Sequence, residues 1–330
     1  MKMLVLGGTV FLGRAVARQA IALGHDVVCA ARGESGEPVE GARFVRVDRD
    51  DPGGLAAVAG EFDAVVDVAR HPHHVRHAVA ALAGRAGHYT FVSSGSAYAD
   101  TATPHQVAAT APLLPPDYDA DPRADAESYG RCKVACERLA VGGFGAGRTF
   151  VLRAGMIVGP EDPTGRFEYW VRRAARGGEV LAPGEPGEAV QLVDVRDLAD
   201  WILAAAGAGL AGAFDGIGAP MTRREFHQGL AEGAGVPQTL TWVTQEFLLE
   251  RGVAPWSGPR SLPFWLPLPQ YAGFMDRDVT PSIAAGLRTR PLAETVRDTL
   301  AAIRDGSHID GDNGLGIDEE AELLQEWLAG

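Results

Sequence analysis

The sequence predicts an α/β protein: a doubly wound parallel sheet followed by a smaller C-terminal lobe. Three observations predict it. Short apolar runs such as MLVLG, DAVVDVA and HYTFVSS alternate with segments whose apolar residues recur at helical spacing. The runs are apolar throughout rather than at every second position, which marks strands covered on both faces. The alternation begins at the N-terminus and persists to about residue 154, as parallel pairing through helical crossovers requires.

The elements follow in order. MLVLG is a buried strand that leads into a glycine turn. FLGRAVARQAIALG is an amphipathic helix closed by Gly24. HDVVCAA and RFVRV are the second and third strands, and GGLAAVAG reads as the helix after them. DAVVDVA and VRHAVAALAGRAG form the fourth strand and its helix, and HYTFVSS is the fifth strand. A Pro- and Asp-rich loop covers about residues 100 to 126. Helix ESYGRCKVACERLAVGG and strand TFVLRAG come next. Beyond them the pattern weakens: helix RFEYWVRRAARGG, strand-like QLVDV, helix DLADWILAAAG with Asp197 as its cap, an aromatic- and Pro-rich stretch over 236–281, and two closing helices. The expected division is 1–155 for the dinucleotide-binding Rossmann-type domain, with returning segments at about 190–210. Residues 156–330 are mainly a substrate-binding lobe and C-terminal helices.

Composition narrows the partners. The net charge of −13 disfavours a phosphate backbone, so no nucleic acid is expected. No apolar run approaches the roughly 18 residues of a bilayer span, and MKMLVLGGTV lacks the form of a secretory signal. A cytoplasmic protein without a membrane partner is expected, as a monomer or a homodimer. Cys29, Cys132 and Cys136 read as free buried thiols.

Two stretches carry chemistry. The first is Gly7-Gly8-Thr9-Val10-Phe11-Leu12-Gly13, between a strand and a helix. Gly7 and Gly8 permit a tight turn, Gly13 lets the helix pack closely, and the helix N-terminus offers free N–H groups to a pyrophosphate. At the end of the second strand, where an NAD-binding protein usually has an acid, stand Ala31 and Arg32. An arginine there can pair with a 2′-phosphate, so NADP is the expected cofactor, with NAD as the other candidate. The second stretch is ESYGRCKVACER. The chain has only two lysines, Lys2 and Lys133, and Lys133 lies one helical turn after Tyr129. A phenol relays protons poorly at neutral pH unless a cation beside it favours the phenolate. A compact ammonium can also bind ribose hydroxyls, which a guanidinium fork does not reproduce. A third group is expected at FVSSGSAY, where Ser93, Ser94 and Ser96 are candidates.

With these motifs, and with LRAGMIVGP and VQLVDVRDLADWI further on, the chain resembles an extended or atypical short-chain dehydrogenase/reductase of the NAD-dependent epimerase/dehydratase superfamily, over about residues 1 to 220. The resemblance implies a catalytic Ser94, Tyr129 and Lys133, with Ser93 and Ser96 serving the turn. It implies cofactor contacts at Gly7, Thr9, Phe11, Leu12 and Gly13, with Asp48 and Arg49 where the family meets adenine, and Val68 and Ala69 after the fourth strand. There are two departures. Val10 replaces the middle glycine of the turn, and Asp67-Val68-Ala69-Arg70 stands where many relatives have His-Leu-Ala-Ala.

The expected activity is NAD(P)-dependent oxidation or reduction of a carbonyl/alcohol pair on a small molecule. Nucleotide-sugar epimerisation or dehydration is the enzymatic alternative. A non-catalytic NAD(P)- or RNA-binding relative is the other. Aromatic residues from Phe167 to Phe274 read mainly as lobe core, partly as a pocket for a bulky or aromatic substrate. Arg153, Arg166, Arg172 and Arg173 are candidates for a diphosphate. The cluster His71-Pro72-His73-His74-Val75-Arg76-His77 lacks a cysteine or acid at ligand spacing, so no metal is expected. His71 is a candidate for touching cofactor or substrate.

Overall fold

The computed structural model describes residues 1–306 and 312–330. Its centre is a seven-stranded parallel sheet. Six strands are β1 (Lys2–Leu6), β2 (Asp26–Ala31), β3 (Arg43–Arg46), β4 (Phe62–Asp67), β5 (Ala86–Ser94) and β6 (Thr149–Ala154); the seventh is Gly212–Gly216. The spatial order is seventh strand, β6, β5, β4, β1, β2, β3. The order reverses between β1 and β4, and ligands of such sheets bind in the crevice beyond the carboxyl ends at that point.

Both faces of the sheet are covered, as the uninterrupted apolar runs require. Met3 and Val5 face one core, shared with Val16 of α1 (Phe11–Ala22) and with Leu198 and Ile202 of a later helix, Val195–Ala208. Leu4 and Leu6 face the other, shared with Val75 of α2 (Pro72–Leu82) and Phe144 of α3 (Tyr129–Phe144). A separate apolar cluster gathers Phe167 and Trp170 of α4 (Arg166–Arg176) with Phe226, Phe264 and Trp265. Most aromatic side chains of the C-terminal half are spent there.

Two local expectations are corrected. GGLAAVAG forms only a short 3₁₀ turn, Gly54–Ala57. Two glycines at its start weaken helix formation, and Gly54 packs so tightly on the main chain of Asp48 that a Cβ would lie 1.8 Å from the Asp48 oxygen. The cap of α5 (Val195–Ala208) is Asp194, not Asp197: its backbone is still extended, and its carboxylate accepts from Arg196 N at 2.8 Å. Asp197 lies inside the first turn and pairs with Arg290 at 2.8 Å. No helix among the described residues is long and apolar enough to cross a membrane.

Candidate active site

The glycine turn lies at the switch point. Gly7 has φ +98 and donates its N–H to Ala30 O at 2.9 Å. A Cβ on Gly7 would come 2.5 Å from Val68 Cγ2, and one on Gly13 would come 2.2 Å from Gly7 O. Both glycines are therefore needed for close backbone approach. The N-cap of α1 is Val10, which offers no side-chain acceptor. Its first-turn N–H groups are left for another acceptor, and a helix N-terminus of this kind suits a pyrophosphate. The cradle fits the phosphate portion of a dinucleotide: Val68, after β4, closes on Gly7, and Thr9, Leu12 and Ala69 are buried.

Arg32 follows β2 on the surface, loosely paired with Glu34 at 3.6 Å. Asp48 is exposed and closes a turn by accepting from Asp50 N at 2.9 Å. Arg49, expected where the family meets adenine, turns its side chain to the end of β4. Its two terminal nitrogens hold the carboxylate of Asp67 at 2.7 Å each, and one also donates to His74 O at 2.9 Å. Asp67 is fully buried at the end of β4 and also accepts from Tyr89. Burial pushes the Asp67 carboxyl up, but the Arg49 ion pair outweighs it and holds the group below its ordinary range. A buried carboxylate of this kind needs its cation, so the guanidinium is committed.

Ser94 ends β5, and its Oγ accepts from Ser96 N at 3.1 Å across a tight turn. Its hydroxyl hydrogen is not used in that bond. Ser93 serves a different purpose from the turn role expected for it: its hydroxyl donates to Glu137, which is held by Arg153 at 3.0 and 2.8 Å. Tyr129 begins α3, half-buried, and Lys133 lies one turn on. The Lys133 side chain is only 3% exposed. Its Nζ donates to Ala69 O and Val92 O, both at 2.7 Å, and lies 5.8 Å from the centre of the Tyr129 ring. An ammonium has three donors, so one is left after these two bonds.

Ser94 and Tyr129 line one cavity of about 350 Å³. Its far side carries Arg166, Trp256, Phe274 and Met275, and its floor carries Tyr98, Asp215 and Arg277. Arg166 stacks over Trp256 at 4.9 Å. Arg277 lies 3.5 Å over the ring of Tyr98 and 3.0 Å from Asp215, and Tyr98 donates to the same carboxylate at 2.6 Å. Burial pushes the Asp215 carboxyl up, with Arg277 pulling against it. Of the four arginines considered for a diphosphate, Arg153 also borders the cavity but is held by Glu137, and Arg166 lines it without an ion pair among the described residues. Arg172 pairs with Glu168 and Arg173 with buried Glu320, away from Tyr129. Sequence reading missed Tyr98, Asp215 and Arg277. Tyr98 ends the FVSSGSAY stretch, but no motif marks Asp215 or Arg277, and only the fold brings residues 98, 215 and 277 together.

The fold brings an acid to the histidine cluster. Nε2 of His73 and of His74 lie 2.9 and 2.8 Å from the same oxygen of Asp50. Asp50 follows β3, far in sequence from the histidines. His71 lies nearer the 117–125 loop, 3.4 Å from Asp121, and does not line the cavity that holds Ser94 and Tyr129.

Comparison with known proteins agrees with this picture. The model of the NAD dependent epimerase/dehydratase family matches residues 3–214. A dTDP-6-deoxy-L-talose 4-dehydrogenase (NAD(P)(+)) of Kitasatospora kifunensis is 31% identical over 264 residues, which is 72% of this chain and 81% of that protein. Among solved structures, the Bordetella bronchiseptica enzyme WbmH in complex with NAD+ superposes with a TM-score of 0.66 at 19% identity, over 93% of this chain and 99% of that one. The UDP-glucose 4-epimerase of Thermus thermophilus in complex with NAD gives 0.63 at 20% identity, over 92% and 99%. The two structures are evidence for the fold.

Proposed function

Within the NAD-dependent epimerase/dehydratase family, to which this chain belongs, we propose that the protein is an oxidoreductase that interconverts a carbonyl and an alcohol on a sugar-like small molecule. It is an NAD(P)-dependent enzyme of that superfamily. The observation that supports the reading is that Ser94 and Tyr129 both line one cavity, with the Lys133 ammonium 5.8 Å from the centre of the Tyr129 ring.

In this reading the Tyr129 hydroxyl gives a proton to the substrate oxygen, or takes one from it. Ser94 donates its free hydroxyl hydrogen to the same oxygen and so fixes the position of the reacting carbon. The remaining N–H of Lys133 is available to ribose hydroxyls. Gly7, Gly13 and the N-terminus of α1 would hold the pyrophosphate. The nicotinamide of the bound dinucleotide supplies or accepts the hydride. Arg32 favours NADP(H), since no acid stands at the end of β2. The lobe around Trp256 and Phe274 sets specificity, while the sheet residues before about 155 hold the cofactor.

Net redox is preferred over epimerisation for two reasons. The relative at 31% identity is named a 4-dehydrogenase. Two of the arginines considered for a diphosphate lie outside the cavity in their own ion pairs. The deciding experiment is stoichiometric: purified protein, added NADPH, and a panel of keto-sugars, their nucleotide conjugates and simple ketones. Loss of NADPH equal to alcohol formed is expected. Isomerised or dehydrated product without loss of added NADPH would move the protein to the epimerase/dehydratase reading.

A further inference from the structure

We propose that Asp50, His73 and His74 form a binding site for one divalent transition-metal ion of the zinc or cobalt class. The site lies at the carboxyl edge of the sheet beyond β3 and is independent of the chemistry at Tyr129. The sequence alone offered histidines without an acid. The fold supplies the acid from 23 residues upstream of His73.

The geometry argues for a site. One carboxylate oxygen of Asp50 is approached by both imidazole Nε2 atoms, at 2.9 and 2.8 Å. The three ligand atoms all lie within 4.8 Å of one another. A tetrahedral zinc with bonds of about 2.0–2.1 Å spaces its ligand atoms about 3.3 Å apart, so the two Asp50–histidine separations need open by only about half an ångström. The histidines sit at the first turn of α2, and their backbone is fixed by that helix. Two imidazoles and one carboxylate suit zinc, cobalt or nickel and not magnesium or calcium. They leave a fourth position for water. His71 lies against both histidines, with ring centres 5.2 and 4.9 Å away, and Asp121 is 3.4 Å from it. Two cations oppose the metal: Arg49, whose guanidinium donates to His74 O at 2.9 Å, and Arg123, which reaches the second oxygen of Asp50 at 3.2 Å. Arg123 is half exposed and can swing into solvent.

The test uses tag-free, chelator-stripped full-length protein titrated with ZnCl2 by calorimetry and with CoCl2 by visible absorption. One equivalent at micromolar affinity or better is expected, with the absorption of tetrahedral cobalt and no competition from MgCl2. Loss of a second-sphere partner alone typically weakens metal binding by about 10- to 100-fold. Asp50→Asn and the double variant His73→Gln/His74→Gln should each lose at least that much. Arg123→Ala removes one competing cation and should tighten binding. Circular dichroism and thermal melting establish that each variant is folded. If Asp50→Asn does not fold, the histidine double variant decides, because its side chains lie at the surface end of α2. Absence of saturable one-equivalent binding, or binding undiminished in the folded double variant, overturns the site and leaves the proposed oxidoreductase activity untouched.

Discussion

Tyr129 differs from phenylalanine by one oxygen, and its ring packs the same way without it. Tyr129→Phe should therefore keep the fold and the NADPH affinity while kcat falls by about 10²–10⁴. Full activity in this variant would discard the assigned proton donor. Lys133 is different, because its nitrogen also ties Ala69 to Val92. Lys133→Arg keeps the charge but cannot place one compact nitrogen between the two carbonyls, so both kcat and NADPH affinity should fall. A variant that lost kcat alone would separate the lysine from cofactor binding. Arg32→Ala tests the phosphate contact: a charged hydrogen bond contributes about 1.5–3 kcal/mol, so NADPH affinity should drop at least tenfold while NADH affinity holds. Dissociation constants for both dinucleotides read this directly, and an unchanged NADPH constant would release Arg32 from that role. Sequence reading picked out Tyr129 and Lys133 because local helical spacing puts them on one face. It did not reveal the Arg49 side chain's ion pair, since that partner, Asp67, lies on another strand.

Among the elements, α3 bears two duties. It carries Tyr129 and Lys133 at its start and packs on α2 near its end. Gly143 makes that packing close: a Cβ there would lie 2.2 Å from Val79 Cγ1 and 3.0 Å from Val79 Cβ. Gly143→Ala gains up to about 1 kcal/mol of helix propensity. Overpacking against a stiff β-branched side chain costs about 1–3 kcal/mol and should win. Urea melts of the variant should show a net loss of stability with little change in KM, because the contact is distant from the cavity. A neutral or stabilising result would mean that the two helices can separate freely. The strands and α1, α2 and α3 were legible because the central strands are buried on both faces and each helix has its own apolar stripe. The four-residue turn Gly54–Ala57 and the cap at Asp194 were not, since both depend on a tertiary partner: Asp48 for the first, and Thr295, which donates to Asp194 at 2.8 Å, for the second.

At the scale of the whole molecule, the C-terminal half encloses an aromatic core that includes His227. This side chain is 1% exposed, packed against Trp170, Phe226 and Trp242, and neither ring nitrogen has a partner among the described residues. Burial, followed by the charge of Arg223, lowers its pKa to about 3. The unfolded chain takes up a proton near pH 6.5 that the native state refuses until about pH 3. The native state is therefore at full advantage above pH 6.5 and loses stability as pH falls below it, by up to about 1.4 kcal/mol per pH unit from this group. His227→Leu should flatten the slope of melting temperature between pH 7 and pH 5; an unchanged slope would assign the acid sensitivity elsewhere. The lobe and its aromatic content were visible in the composition of residues 236–281, but the cavity floor was not, because Tyr98, Asp215 and Arg277 come from three distant segments. The bare N-terminus of α1 extends further than the active site. A helix that begins at Val10 without a side-chain cap leaves its opening amides for another acceptor, and in the proposed reading the dinucleotide also completes secondary structure. By mass action, cofactor at a hundred times its dissociation constant adds about 2.7 kcal/mol to the folded state. The lifetime of this protein against proteolysis should then follow the supply of its own cofactor, and cells short of the dinucleotide would lose the enzyme as well as its activity.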